Sequence, residues 1–470
     1  MNDILTKKYY LYCDSTQEYE DIINSLSNEK INYTEEYSIN KEIVLILTIP
    51  KYNLTFEVRW FYSQSDCPKS VIGLLSKGCK PDLFICNEDK EIVLIVESTK
   101  TAPVGNALKQ RLADRVVLPI IDNIPFLYIS PPTGIDQSQK TERKETGIFK
   151  IIKDLYPDNF LPLEDKSILS MLESLSVGDI TKYIPKSGLL SSIFNITYRS
   201  QTSFKKKDLG KLWTSSPIKN KIEILKQSSL GVIESKNILL CPHDRFIEIF
   251  PDLTFQTPNN VIIFINRGLK GKDGGPSDPF QGTVGLINLL GKEYNKVFIS
   301  THDTNLNSTD KLLWTPKRDG KTSTKLNKFN YIIDLTGSVY KPNVVDIKVK
   351  EFKCVPKLGE SDALWLWKRQ LPKHEILFEQ FPGGSWGGEN NLVKRDDKRG
   401  DMEYTLGDSK EIIKVEGKGK LSDIKTHIKK HGDTDDIYVC IENNTNFNGI
   451  KIKGRVLCYD IYKRGFHSVK

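Results

Sequence analysis

Residues 81–100 read PDLFICNEDKEIVLIVESTK, and this stretch predicts a β-hairpin. Asp82 stands before a short apolar run, polar residues follow at 87–89, and a second apolar run ends on Glu97. Two apolar runs separated by turn-forming residues are typical of paired strands. Lys100 follows Glu97 by three positions. The stretch therefore predicts two acids and a lysine near the ends of one pair of strands.

A second stretch, residues 401–418, has the same layout. Asp401 is followed by MEYTLGDSKEIIKV and then by Glu416, Gly417 and Lys418. The aspartate and the glutamate are fifteen positions apart in both stretches. After each hairpin the spacing of apolar residues predicts a helix and then a strand. The repetition is one of architecture, with little residue identity.

The composition is that of an ordinary globular protein. The chain has 470 residues, of which 38% are hydrophobic and 27% charged, and this length predicts two to four domains. Since no apolar run reaches the roughly 18 residues that span a bilayer, we expect no membrane partner. The first residues lack the apolar segment of a signal peptide, so we expect a cytoplasmic protein.

The cysteines and the net charge narrow the class of protein further. None of the eight cysteines forms a CxxC pair, which disfavours a zinc site and indicates reduced thiols. The formal charge of +8 permits a polyanionic partner. Lysine and arginine cluster at residues 205–207, 317–328 and 394–399, which are either solvated loops or contacts to a polyanion.

The segments between the two hairpins have different characters. Residues 136–232 are rich in Ser, Lys and Leu with helical spacing, which predicts either a linker domain of packed helices or a helical DNA-binding domain. Residues 233–350 return to strands, predicted at 247–250, 261–265 and 296–300. The position that corresponds to Glu97 falls near Asn266, so this central α/β unit is either a degenerate copy or unrelated.

The last part of the chain supplies the elements around the second hairpin. Apolar spacing predicts helices at 362–370, 375–381 and 422–430, with Ser422 as the cap of the third. Strands are predicted at 437–442 and 455–462. We expect Trp365 and Trp367 to be core residues rather than a platform for stacking bases.

The two acids and the lysine suit phosphodiester hydrolysis. A metal ion neutralises phosphate charge and lowers the pKa of a water, and Mg²⁺ uses oxygen ligands, with one or two carboxylates. Side chains alternate along a strand, so Lys418 lies on the same face as Glu416. In the first copy Thr99 holds that place and Lys100 comes one position later. The geometry is therefore more favourable in the second copy.

These motifs resemble the PD-(D/E)xK nuclease superfamily, to which most type II restriction endonucleases belong. The resemblance covers the residues around each motif and not the whole chain. It implies a central mixed sheet flanked by helices and Mg²⁺-dependent cleavage of DNA. It also implies metal-binding acids and catalytic lysines, which are Asp82, Glu97 and Lys100 in the first copy and Asp401, Glu416 and Lys418 in the second.

Several other patterns compete with these motifs. An ExK triplet also occurs at five other glutamates, so a single copy carries little weight and is often a solvated sheet edge. The best competitor is Asp334 followed by Asp346 and Lys348, which lacks the hairpin, helix and strand. His302 is a candidate general base but fits a structural role better. Gln110 and Arg111 either point to the metal site or to a phosphate, or have a role at the surface or the edge of the core.

The sequence thus predicts an α/β protein with restriction-endonuclease-like mixed sheets in two copies and a helical middle segment. The predicted domains are an N-terminal nuclease-like domain at 1–135, the helical domain at 136–232, the central α/β domain at 233–350 and a C-terminal nuclease-like domain at 351–470. The predicted function is sequence-specific double-strand cleavage of DNA by a type II restriction endonuclease, acting as a monomer or homodimer. The alternatives are a nucleic-acid-binding protein without catalysis, a repair or nicking nuclease, and a ribonuclease.

Overall fold

The structure is a computed structural model of the chain. It describes residues 6–14, 16–40, 42–60, 67–77, 79–98, 115–116, 119–120, 122–130, 133–136, 141–144, 152–153, 155–163, 165–185, 213, 215–233, 238–266, 294–304, 329–342, 359–379, 401–441, 445, 451–460 and 462–469. Lys100, the basic clusters, Gln110, Arg111, Asp346 and Lys348 lie outside these residues, so the predictions that name them stay predictions.

The first unit of the fold is built on an eight-stranded sheet. Its elements, in chain order, are β1 (Lys7–Cys13), α1 (Thr16–Asn28), β2 (Thr34–Asn40), β3 (Glu42–Ile49), β4 (Leu54–Trp60), α2 (Lys69–Lys77), β5 (Leu83–Cys86), β6 (Ile92–Ser98), β7 (Phe126–Ile129), β8 (Thr133–Asp136), β9 (Thr141–Lys144), β10 (Phe160–Leu161) and α3 (Asp165–Val177). The strand order is β10-β7-β6-β5-β1-β4-β3-β2, and β8 and β9 form a separate pair. The hairpin predicted at 81–100 is confirmed as β5 and β6.

Apolar residues cover both faces of this sheet. On one face Leu83 and Val96 pack in a cluster that includes residues of α1 and α3. On the other face Phe84 and Ile95 belong to a second cluster, which also contains strand residues of the central sheet. Strands buried on both sides read as continuous apolar runs rather than alternating ones, as LFIC and IVLIVES do. The polar residues of the hairpin are therefore confined to the strand ends.

The second unit is a six-stranded sheet. Its elements are α4 (Pro217–Gln227), β11 (Gly231–Ile233), β12 (Ile238–Cys241), α5 (His243–Ile249), β13 (Val261–Asn266), β14 (Asn295–Ser300), β15 (Tyr331–Ile333) and β16 (Val339–Tyr340). The strand predicted at 247–250 is wrong, because these residues lie in and directly after α5. Phe246 and Phe250 are four positions apart and stack at 4.9 Å in the core, a helical spacing that a short apolar run conceals.

The third unit is a six-stranded sheet near the end of the chain. Its elements are α6 (Glu360–Gln370), β17 (His374–Glu379), β18 (Met402–Leu406), β19 (Ile413–Gly417), α7 (Leu421–His431), β20 (Ile437–Cys440), β21 (Arg455–Asp460) and β22 (Gly465–Ser468). The second predicted hairpin is confirmed as β18 and β19. The Trp365 side chain is buried in the core, as expected.

Two predictions in this unit are wrong. The helix predicted at 375–381 is the edge strand β17, which pairs antiparallel with β18. The run HEILFE is short enough that apolar spacing does not separate helix from strand, and the pairing partner decides. Ser422 is not the cap of α7, because the helix begins one residue earlier with Lys420 at the cap position.

The three units share one pattern of strand directions. In the central sheet, β11 to β15 follow one another with two antiparallel and then two parallel pairings. In the third sheet, β17 to β21 repeat that pattern. In the first sheet, β1, β5, β6, β7 and β10 show it again. The predicted α/β class with mixed sheets is therefore confirmed, and the central unit shares the arrangement of the other two.

Helix α6 joins the third unit to the first. Trp365 Nε1 donates a hydrogen bond to Glu20 Oε1 of α1 at 3.1 Å. The guanidinium of Arg369 binds both carboxylate oxygens of Glu35 on β2, at 2.6 and 2.9 Å. Two parallel hydrogen bonds of this kind fix orientation as well as distance. Among the described residues, no helix is both long and apolar enough to cross a membrane.

Candidate metal centre

Asp401 and Glu416 are brought together by the hairpin of β18 and β19. Met402 pairs with Val415, so the next residues outward, Asp401 and Glu416, lie at the same end of the strand pair. The carboxylate of Asp401 accepts a hydrogen bond from the backbone N–H of Gly417, with Oδ2 and N 2.9 Å apart. The aspartate is therefore held by the strand that carries the glutamate.

Lys418 lies between the acids. Its Nζ is 2.7 Å from Glu416 Oε1 and 3.5 Å from Asp401 Oδ2. It also donates a hydrogen bond to Glu360 Oε1 at 2.7 Å. Because side chains alternate along a strand, the two-residue step from Glu416 places both side chains on one face. The structure thus brings together the three residues that the sequence singled out in the second copy.

Glu360 is a member of this cluster that sequence reasoning missed. It is the first residue of α6, more than forty positions before Asp401. Gly417 allows this helix to come close, since a Cβ at position 417 would lie 2.6 Å from Leu364 Cγ and 3.2 Å from the Glu360 carbonyl oxygen. A contact below 3.0 Å to the branch point of a buried leucine forces the backbone to move. The glycine between Glu416 and Lys418 is therefore part of the site.

His427 and Asp435 extend the cluster on the other side of Glu416. His427 lies on α7, and its Nδ1 is 2.8 Å from Glu416 Oε1. Its Nε2 is 3.9 Å from Asp435 Oδ2. Asp435 stands just before β20 and is buried. Sequence reasoning missed both residues, and the available signal was a histidine on the helix that follows the hairpin.

The cluster contains three carboxylic acids and one lysine, and their pKa values reflect this imbalance. Burial and the neighbouring Asp401 raise the pKa of Glu360 to about 7. Burial and the neighbouring Glu416 raise the pKa of Asp401 to about 6. Burial lowers the pKa of Lys418, but Asp401, Glu360 and Glu416 together raise it above its ordinary value. The lysine is consequently a fixed positive charge, and one lysine does not neutralise three acids.

His427 is neutral in this setting. Burial, followed by the positive charges of Lys418, His431 and Lys430, lowers its pKa to about 4. Burial likewise raises the pKa of Glu416. A neutral imidazole has one nitrogen with a free lone pair, which is the form that binds metal ions.

The donor atoms suit a divalent cation. Glu360, Asp401 and Glu416 each offer an oxygen, and these oxygens lie within 4.8 Å of one another. The Lys418 ammonium stands where these three carboxylates converge. Carboxylate oxygens are the ligands of hard cations such as Mg²⁺. Within the described part of the chain, the groups of three ligand side chains this close together all include Glu416.

The first copy has the same backbone arrangement. Leu83 pairs with Val96, which puts Asp82 and Glu97 at one end of the β5–β6 hairpin. Asp82 Oδ2 accepts a hydrogen bond from the backbone N–H of Ser98 at 2.6 Å. Glu97 and Glu416 are 2% and 4% exposed. The aspartate, the glutamate and the hydrogen bond between the strands are therefore reproduced.

Among the described residues, the cation beside the acids of the first copy is an arginine. Arg115, from the segment between β6 and β7, forms an ion pair with Glu97 Oε1. Burial lowers the pKa of Arg115, but Glu97 and Asp82 raise it above its usual range. Burial, then Glu97 and Glu18, raise the pKa of Asp82 well above its usual value. The Arg115 guanidinium pairs directly with Glu97, whereas Glu416 in the second copy contacts Lys418 and His427.

The other candidates from the sequence have local partners. Asp334 Oδ1 accepts hydrogen bonds from Thr336 and Ser338, and Oδ2 accepts one from the Tyr340 hydroxyl at 3.0 Å. These contacts fix the turn between β15 and β16. His302 Nδ1 is 2.8 Å from the Thr301 hydroxyl. Both residues therefore have a structural explanation.

Comparisons with protein-family models, with curated proteins and with solved structures found no match to this chain.

Proposed function

We propose that this chain is an endodeoxyribonuclease that depends on a divalent cation and cuts phosphodiester bonds at the cluster of Asp401, Glu416 and Lys418. The observation that supports this proposal is the convergence of three carboxylates on one lysine at the end of a hairpin, with distances of 2.7 to 3.5 Å from Lys418. The class of reaction comes from the resemblance to PD-(D/E)xK nucleases, and the cation is Mg²⁺.

Each residue has a role in this proposal. Asp401 and Glu416 hold the cation, with Glu360 as a further oxygen ligand. When bound, the cation neutralises the phosphate and supplies an activated water. Lys418 stays protonated and stabilises the negative charge that develops on the scissile phosphate. The Gly417 N–H keeps Asp401 oriented while these charges change.

The substrate in this proposal is double-stranded DNA, and the activity is that of a type II restriction endonuclease. One cutting site cuts one strand at a time. A double-strand break therefore requires a homodimer or two successive cuts by one chain. The first copy, in which Arg115 pairs with Glu97, then serves as a scaffold or as part of DNA recognition.

The test is cleavage of a long plasmid by the wild type, Glu416→Gln and Glu97→Gln, with Mg²⁺ and on DNA without methylation. We expect discrete fragments from the wild type and from Glu97→Gln, and no cutting by Glu416→Gln. Loss of cutting in Glu97→Gln alone, with Glu416→Gln active, would refute the assignment of the site. If the wild type cuts nothing across several salts and divalent cations but binds DNA, the chain is a binding protein.

A nicking nuclease is the second candidate, and one observation favours it. In one of the two hairpin sites, the glutamate Glu97 is paired with Arg115 from within the chain. Open circles that never become linear, at all enzyme concentrations, would distinguish nicking from double-strand cleavage.

A further inference from the structure

The Glu416–His427–Asp435 group lies on the side of Glu416 that faces α7. Two types of ligand atom meet there, since the imidazole of His427 stands between two carboxylates. One ligand atom from each residue lies within 4.8 Å of the other two. Glu416 and Asp435 are buried, and His427 is half-buried. This group uses neither Lys418 nor Asp401 and is therefore separate from the three-carboxylate group, apart from the shared Glu416.

Asp435 carries a buried oxygen for which the protein supplies no hydrogen bond. Its Oδ2 accepts from the Thr434 hydroxyl at 3.0 Å and faces His427 Nε2. Its Oδ1 is buried and has no hydrogen-bond partner among the described residues. A buried carboxylate oxygen without a partner costs free energy, typically about 1–3 kcal/mol. A bound cation would satisfy it.

We infer that Glu416, His427 and Asp435 form a second cation site, which takes a divalent transition-metal ion of the Mn²⁺ type in preference to Mg²⁺. An imidazole nitrogen with two carboxylates is a donor set that suits Mn²⁺, Fe²⁺ or Zn²⁺, whereas Mg²⁺ prefers oxygen alone. Thr434 orients the Asp435 carboxylate, as hydrogen-bonded groups behind metal ligands do.

The inference deepens the proposed function and rests on it only in placing this ion next to the cutting site. The three-carboxylate position is then the one that Mg²⁺ fills, and Glu416 serves both. Two positions of different ligand chemistry predict two cations per chain with different selectivity.

The experiment is a titration of the full-length chain with Mn²⁺, in which electron paramagnetic resonance measures free Mn²⁺. We expect two Mn²⁺ per chain, one displaced by excess Mg²⁺ and one that resists it. The Mg²⁺-resistant ion should show coupling to a ¹⁴N nucleus. In His427→Ala and Asp435→Asn this ion should bind more than about 10-fold weaker, at least the loss that removing an outer partner of a ligand causes.

The matched control is His467→Gln, an exposed histidine on β22 outside the group, which should leave both ions in place. A wild type that binds no Mg²⁺-resistant Mn²⁺, or binds it without nitrogen coupling, would overturn the inference even if neither variant folds. Mg²⁺-dependent cutting without such an ion would support the proposed function and contradict the second cation site. A nitrogen-coupled ion in a protein that never cuts DNA would support the second cation site and contradict the proposed function.

Discussion

The β5–β6 hairpin and the β18–β19 hairpin present the same two acids in the same backbone frame and differ in what surrounds them. In both, the aspartate accepts a hydrogen bond from the backbone N–H that follows the glutamate. In the first copy Arg115 neutralises Glu97, and in the second Lys418 is shared among three acids. The hairpin thus supplies a frame, and the residues packed against it decide which cation pairs with its acids and with how many acids that cation is in contact.

In each copy a helix supplies a further glutamate near the two acids of the hairpin. Beside the effect of burial, Glu360 at the start of α6 raises the pKa of Glu416. In the first copy, burial, Glu97 and then Glu18 in the first turn of α1 raise the pKa of Asp82. Helix α6 of the third unit contacts the first unit through the hydrogen bonds from Arg369 to Glu35. The composition of the second site therefore depends on contacts between the two units.

The largest expected difference between the copies concerns their cations. Lys418→Met should lower the rate of plasmid cleavage about 100-fold or more, as removal of a charge-stabilising donor does in other enzymes. Arg115→Met should leave the rate within about threefold but lower the free energy of unfolding by about 3 kcal/mol, because Glu97 is left buried without its partner. Initial cleavage rates and denaturant unfolding measure the two effects. Equal losses of cleavage rate in the two variants would contradict the functional difference between the two copies.

A smaller effect is expected from the residue that follows each glutamate. Gly417→Ala places a Cβ 2.6 Å from Leu364 Cγ, and the overpacking should lower the free energy of unfolding by about 1–3 kcal/mol. It should also weaken Mg²⁺ binding, since α6 carries Glu360. Ser98→Ala is the matched change in the first copy and should have little effect on either quantity. Isothermal titration with Mg²⁺ and thermal unfolding of both variants test this, and a harmless Gly417→Ala would contradict the close approach.

The smallest effect is the pH dependence of stability without divalent cations. The pKa of Glu360 is raised to about 7 and that of Asp401 to about 6. The folded protein therefore keeps protons that the unfolded chain has lost, and this contribution, full below about pH 4, is lost as pH rises to about 7. Unfolding in chelator should show a decline on the order of 1–2 kcal/mol between pH 5 and pH 8. Glu360→Gln should flatten it, and an unchanged slope would show that Glu360 does not titrate there.

The sequence correctly predicted that the three residues of the second hairpin lie close together. Asp401, Glu416 and Lys418 lie at one end of one hairpin, and the pairing of Met402 with Val415 brings the two strands together there. The wrong predictions concern short segments, for which the sequence does not show the element that each one pairs or packs with. HEILFE became a strand because β18 pairs with it, and residues 247–250 belong to a helix region because Phe246 and Phe250 share a core.

By itself, then, the sequence determined the two hairpins, the order of their acids and the α/β class, because apolar spacing and turn residues act over a few positions. Only the tertiary structure decided that Arg115 faces Glu97, that Glu360 joins Lys418, and that His427 and Asp435 meet at Glu416. These residues come from separate helices and loops. Their meeting depends on how whole elements pack, and no local pattern records the distance between two elements in space.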